Sequence, residues 1–241
     1  MPLDAEFQKK LQIFLAIAIV AVGARTAYIV YERHEAMKAD VTPPRQEVAM
    51  NADNYVTPKK LHFYDLKSAQ ELTAQPVWVK YGYALTYFPY DTRRHLTDFA
   101  HDAGTLAPLQ KLAIQGVVTA VAPDAPGLKQ VLARFALDGK DYVVSIGSEK
   151  DGDFKLRAAD IFFIEDPHDL YKHWPADVWK KIDAHEVQDG MNELQTLFAI
   201  GMGIPEGSGN YGSETLHYVN GGKPLVVTFE NNKVIAIKAG T

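Results

Sequence analysis

The chain reads as an α+β protein with an N-terminal transmembrane helix, a small antiparallel β barrel or sandwich of SH3-like or OB-like kind, and a C-terminal α-α-β-β-β module. Three observations predict this order. An apolar run extends from Leu11 to Val30; period-two apolar alternation and Asp-Gly turns fill residues 61–165; and helix-period stripes followed by three short strands fill residues 166–241. A period of two is the mark of a strand with one buried face, and a period near 3.6 that of an amphipathic helix.

The segment LQIFLAIAIVAVGARTAYIV, Leu11 to Val30, is 20 residues long. At a helical rise of about 1.5 Å per residue it covers the ~30 Å hydrocarbon layer of a bilayer. Arg25 interrupts it after 14 uncharged residues. Two readings follow. Lys9 and Lys10, the Leu11–Val22 core and the small residues Val22, Gly23 and Ala24 fit a cleaved secretory signal. Tyr28, Ile29, Val30 and Tyr31 restore apolarity beyond Arg25, so that Tyr28 and Tyr31 sit at an interfacial belt while the Arg25 stem snorkels to the headgroups. The retained anchor over 11–31 is the preferred reading. Residues 1–10 then form a cytoplasmic tail, and the body is exported to the periplasmic face of the inner membrane. The chain has no cysteine, which leaves no disulfide, no thiolate metal site and no cysteine to carry a lipid. Beyond residue 31 it holds 28 acidic and 22 basic residues, a net charge of −6. That excludes nucleic acid as a partner on electrostatic grounds, since phosphate neutralisation needs a basic surface.

Residues 32–60 are charged, carry Pro43, Pro44 and Pro58, and lack a sustained apolar period; they read as a spacer or, equally, as a loop draped over the domain that follows. The β-rich domain, 61–165, opens with Val77–Tyr87, in which Val77, Val79, Tyr81, Tyr83, Leu85 and Tyr87 alternate with other residues. One strand is expected, with Gly82 as a bulge. Strands at Gly116–Val121, Gln130–Leu137, Asp141–Ser148 and Phe154–Ile164 follow. Asp138-Gly139 supplies the positive φ angles of a tight hairpin, and Asp151-Gly152-Asp153 a further turn.

The C-terminal module, 166–241, starts with a helix after Pro175, carrying Val178, Trp179 and Ile182 on one face. A second helix is capped by Asn192, with Gln195 three residues on as the reciprocal half of a capping box. Its stripe is Leu194, Leu197, Phe198 and Met202; Gly201, Gly203 and Pro205 end it. Strands at Thr215–Val219, Pro224–Phe229 and Lys233–Lys238 complete the module, joined by Asn- and Gly-rich turns.

The run Val187-Gln188-Asp189-Gly190-Met191-Asn192-Glu193-Leu194-Gln195, with Gly201-Met202-Gly203-Ile204-Pro205, Leu216-His217-Tyr218 and Val226-Val227-Thr228-Phe229, resembles the SmpA/OmlA (BamE-like) family of small outer-membrane-assembly lipoproteins. The resemblance covers about residues 178–238. Asn192 stands for the usual Ser or Thr cap, Leu197 lies near the place of Val, and Tyr218 replaces a Trp-x-Tyr pattern. The lipidated cysteine is missing, and a β-rich domain precedes the motif. The resemblance implies a protein-binding module without an active site.

The expected function is that of a membrane-anchored extracytoplasmic accessory or scaffolding subunit, bound to membrane proteins of a larger complex and to the bilayer through 11–31. No enzymatic activity, cofactor or metal is expected. Gly201-Met202-Gly203 ends a helix where a phosphate loop would begin one, and no serine stands in a nucleophile elbow. His95 and His101, six residues apart, lie about 120° from alignment on a helix, so they cannot share a metal-binding face there. Partner-binding candidates are Tyr90, past the expected strand end, with Arg93 and Arg94, because aromatic and arginine side chains dominate interface energetics. His168, His173 and Trp174 join them, in a segment dense in titratable and aromatic groups at the expected junction of the two domains. Arg25, Tyr28 and Tyr31 are the membrane-interface residues. A periplasmic ligand- or metal-binding, even hydrolytic, protein using His168, His173 and His185 is the alternative, and a cell-wall-binding barrel a third reading.

Overall fold

A computed structural model describes residues 19–34 and 52–240, apart from 122, 124, 208 and 211, in two compact units divided after residue 51. In the first unit residues 19–34 form helix α1. Ile19, Val20, Val22, Tyr28, Val30 and Tyr31 are all more than 60% exposed on it. Thr26 Oγ1 donates to the Val22 carbonyl at 2.9 Å, the back-bond by which a helix accommodates a hydroxyl. Among the described residues no helix is long and apolar enough to cross a membrane. The Leu11–Ala18 part of the expected span, the tail 1–10 and spacer residues 35–51 lie outside the described residues.

The second unit is α+β with mostly antiparallel sheets. It begins inside the expected spacer. A 3-10 turn at Ala52–Tyr55 places Asp53 against the body, and the Lys59 amide and ammonium both bind the Glu165 carboxylate, at 2.8 and 3.0 Å. Helix α2 (Leu66–Ala69) carries a reciprocal Asp65–Ser68 capping box, which holds the Asp65 carboxyl below the usual carboxylate range. Strand β1 (Val77–Val79) follows.

The strand expected to run unbroken from Val77 to Tyr87 is two strands. After β1 the backbone turns over residues 80–85, with Tyr83 at φ +60°. Gly82 lies so close to Pro108 that a Cβ there would meet the proline ring at 2.2 Å. β2 (Thr86–Asp91) then enters a different sheet. Alternation of large residues therefore continued through a turn, where Tyr81 and Tyr83 point by local geometry rather than by pleat. Three strands of two residues, β3 (Leu96–Thr97), β4 (Gly104–Thr105) and β5 (Lys111–Leu112), were too short to leave a period. β6 (Ile114–Val121), β7 (Lys129–Leu137) and β8 (Lys140–Lys150) lie close to expectation, and β9 (Asp153–Leu156) follows them. Asp138 and Gly139 take φ +51° and +74° between β7 and β8, the mirror-image turn that matches strand twist. The expected strand 154–164 is instead β9, helix α3 (Ala158–Ile161) and β10 (Phe162–Phe163).

These strands form a seven-stranded sheet, ordered β3-β2-β8-β7-β6 with β4 on β2 and β9 on β8, and a three-stranded sheet, β10-β1-β5. Among the described residues no ladder returns from β6 to β2, so the larger sheet is open and not a closed barrel. The two sheets enclose a core built on Val77, Val79, Leu112, Val131, Phe135, Val144, Ile146 and Phe162. Tyr90, Leu132 and Val143 form a small cluster with Phe88 and Phe99.

The C-terminal half holds α4 (Pro167–Leu170), α5 (Ala176–Asp183), α6 (Glu193–Ile200) and the meander β11 (Gly203–Pro205), β12 (Thr215–Tyr218), β13 (Leu225–Glu230) and β14 (Lys233–Ala239). The capping box is present: Asn192 accepts from the Gln195 amide at 2.8 Å, and Gln195 from the Asn192 amide at 2.9 Å. Phe198, Ala199 and Ile200 are buried in a second core with Trp174, Trp179, Ile182, Leu216, Val227 and Phe229. Met202, expected in the stripe of α6, is 50% exposed because Gly201, at φ +87°, has already ended the helix. β11, three residues ending on proline, had no strand signature in the sequence.

The β10-β1-β5 sheet is a wall with two buried faces. Val77, Val79, Leu112 and Phe162 point into the first core, whereas Trp78 and Phe163 point into the second. Strand alternation alone makes this division, since successive side chains leave opposite faces.

Candidate functional site

Three local arrangements collect the chemistry of the folded unit. The first is built around the Asp53 carboxylate, whose side chain is 7% exposed. The His173 Nε2–H and the Trp174 Nε1–H both donate to Asp53 Oδ1 at 2.6 Å, and the Asn192 amide donates to Oδ2 at 2.8 Å. One carboxylate so ties the 3-10 turn at 52–55, the loop after α4 and the cap of α6. The aromatic rings beneath are close: Trp174 lies 4.6 Å from Tyr171, 5.2 Å from Trp179 and 5.4 Å from Phe198 between ring centroids. Burial, and secondarily the Asp53 charge, push the Tyr171 hydroxyl pKa up. Asp53 was missed in the sequence because it sits in a polar segment whose partners lie about 120 and 140 residues away, at His173 and Asn192.

The second arrangement holds His168. Its ring stacks on Trp179 at 4.0 Å, with Nδ1 3.0 Å from Asp166 and Nε2 3.1 Å from Asp183. Both nitrogens already face carboxylates, so neither is directed at an incoming group. His185 donates through Nδ1 to the Ala199 carbonyl at 3.0 Å and lines an open depression of about 810 Å³ with Tyr83 and Lys223. His168, His173 and His185 are thus engaged separately, and Trp174 is a buried core residue at 6% exposure. Among the described residues no three His, Asp or Glu side chains come together as a metal site.

Tyr90 corrects a further expectation. β2 runs to Asp91, so Tyr90 pairs opposite Thr97 inside a sheet and is buried beside Leu132 and Val143. Arg93 and Arg94 stay exposed, on a turn where both their amides donate to Asp91 Oδ1, at 2.9 and 3.0 Å. Residues 95–101 form no helix; Leu96 and Thr97 are strand, and His101 Nδ1 meets Asp98 Oδ2 at 3.0 Å across a turn. In α1, Arg25, Tyr28 and Tyr31 are all exposed.

The third arrangement is a pocket of about 300 Å³ between α6 and β11–β12, lined by Tyr81, Leu194, Leu197, Met202, Pro205, Leu216 and Tyr218 together with Glu193 and Glu214. Glu193 Oε2 is buried there without a hydrogen-bond partner. Burial, then the neighbouring Glu214 charge, raise the Glu193 pKa above the ordinary carboxylate range. Burial, with the same two carboxylates behind it, drives the Tyr218 hydroxyl pKa up further. These residues escape a sequence reading. Glu193 reads there as the acidic residue that any helix start favours, and Glu214 falls in a Gly/Ser-rich loop.

The raised pKa fixes a sign. The folded chain holds the Glu193 proton more tightly than the unfolded chain does, so its stabilising contribution is complete below the unfolded pKa and is lost as pH rises through the native one. Glu193→Gln, neutral throughout, is therefore expected to melt higher than the parent at about pH 7 and level with it at about pH 4. Thermal unfolding at the two pH values checks this.

No protein-family model, curated protein or solved structure matches the chain.

Proposed function

We propose that this chain is a membrane-anchored, extracytoplasmic accessory or scaffolding subunit, tethered through residues 11–31 in the inner membrane and acting by binding protein partners of a larger complex. The observation that carries the reading is the surface of α1, whose isoleucine, valine and tyrosine side chains are exposed. Contiguous apolar surface left uncovered marks a membrane or protein contact, and the apolar Leu11–Ala18 run that precedes α1 extends it to spanning length. Arg25, Tyr28 and Tyr31 take the interfacial role on this reading, and the N-terminus faces the cytoplasm. Two successive helices, α5 and α6, followed by the meander β11–β14, one strand more than the expected α-α-β-β-β order, support an SmpA/OmlA-like module, and with it a binding rather than catalytic task. An SH3-like or OB-like ancestry of the β-rich half is part of the same proposal.

Membrane fractionation followed by crosslinking tests it. The full chain is expected to resist alkaline carbonate extraction, to be released when residues 1–31 are deleted, and to crosslink to membrane proteins. Extraction of the full chain by carbonate, or migration of the crosslinked protein alone, would overturn the reading. Sedimentation of the released body with purified cell walls would favour the wall-binding alternative. Loss of bound metal in His168→Ala or His173→Ala would favour the ligand-binding one.

A further inference from the structure

We infer that the pocket formed by Glu193, Glu214, Tyr81, Tyr218, Leu194, Leu197 and Met202 receives the side chain of a lysine or arginine projecting from the partner protein. The inference rests on the scaffolding reading and names what one of its surfaces recognises. Two carboxylates share this apolar pocket, and among the described residues no basic one lines it. A buried carboxylate oxygen without a donor is costly, and Glu193 Oε2 is one. A positively charged head supplies that donor and offsets the repulsion between Glu193 and Glu214. Charge-assisted bonds of this kind are roughly twice as strong as neutral ones.

The rest of the lining matches the rest of such a side chain. Leu194, Leu197, Pro205 and Leu216 offer a sleeve for an alkyl stem, and Tyr81 and Tyr218 contribute aromatic rings, which attract cations on their faces. A pocket of about 300 Å³ lies at the small end for ligand sites, suited to a single side chain. A polypeptide rather than a free amine is indicated by the rim. Met202, which lines the pocket just ahead of β11, is 50% exposed, an apolar contact for a residue that flanks the buried cation. Among the described residues the groups facing Glu193 are Glu214 of the loop before β12, Tyr218 of β12 and Asn232, whose side-chain oxygen accepts from the Glu193 amide at 3.2 Å; none of them supplies a positive charge.

The test uses the full chain in detergent micelles, labelled with ¹³C at the methionine methyls. Met202 reports on the pocket, and Met191, 1% exposed, is the reference. Titration with N-acetyl-lysine amide is expected to shift Met202 saturably while Met191 stays still. The neutral isostere N-acetyl-norleucine amide is expected to bind about tenfold more weakly, as are the Glu193→Gln and Glu214→Gln chains with the lysine probe. Because Glu193→Gln is also expected to melt higher at neutral pH, weaker binding in a more stable protein separates recognition from damage to the fold. Equal shifts from both probes, an unchanged titration in Glu193→Gln, or no shift at all would overturn the inference. Crosslinks to membrane proteins that persist in such a case would leave the scaffolding reading standing, so the two fail independently.

Discussion

Asp53→Ala is expected to destabilise the folded unit by about 3 kcal/mol, since it strands the Trp174 indole N–H and the Asn192 side-chain amide in a buried setting, each at about 1–3 kcal/mol. The His173 imidazole loses its partner as well, but at 32% side-chain exposure water replaces much of that bond. For a unit of this size the loss corresponds to a fall in melting temperature of about 6–12 °C. Asp53→Asn keeps an acceptor for one donor and is expected to fall between the two. Thermal unfolding of the three proteins decides the matter, and equal melting of Asp53→Ala and the parent would show that the knot contributes nothing. Amide exchange adds a local readout: the first turn of α6, whose cap Asn192 reaches Asp53 at 2.8 Å, should exchange faster in the alanine variant.

Gly201→Ala is expected to be at least as severe. Gly201 has φ +87° and ψ −162°, a region essentially closed to residues with a Cβ and costing about 1–3 kcal/mol. The added carbon would also lie 2.4 Å from the Gly82 carbonyl oxygen and 3.1 Å from its carbon. Backbone cannot swing aside as a side chain can. Gly82 is itself pressed against Pro108, 2.2 Å from any Cβ placed on it, so the turn has no room to retreat. Strain and overpacking together reach about 2–6 kcal/mol, a large share of the roughly 5–15 kcal/mol that holds an ordinary domain folded. Far-UV and near-UV circular dichroism of the purified variant measure it, and a parent-like melt would overturn the close-approach argument.

The legible parts of this fold were those set by neighbours in the chain. Asp138-Gly139 announced its hairpin, and Asn192 with Gln195 announced the start of α6, because each needs only residues within three or four positions. The apolar runs on either side of that turn located β7 and β8 for the same reason, with β6 beside them. What failed was decided across long separations. Tyr83 looked like a strand residue until Pro108, 25 positions on, forced Gly82 into a turn, and Tyr90 looked exposed because nothing local reveals that β3 pairs beside it. The candidate site was less legible than the fold. His168 and His173 stood out by composition, yet their aspartate partners engage them one by one rather than gathering them. Glu193 and Glu214 carry the stronger chemical signal, and it exists only once a helix start and a loop are folded against each other.

The wall formed by β10, β1 and β5 serves both cores of the folded unit at once. A gene cut between residues 165 and 166 looks, in the sequence, like a cut between two domains. In the folded chain it would give an N-terminal piece with Trp78 and Phe163 facing solvent, and a C-terminal piece missing one side of its enclosure. Neither fragment is expected to fold when expressed alone, and a cooperative melt of residues 166–241 by themselves would show otherwise.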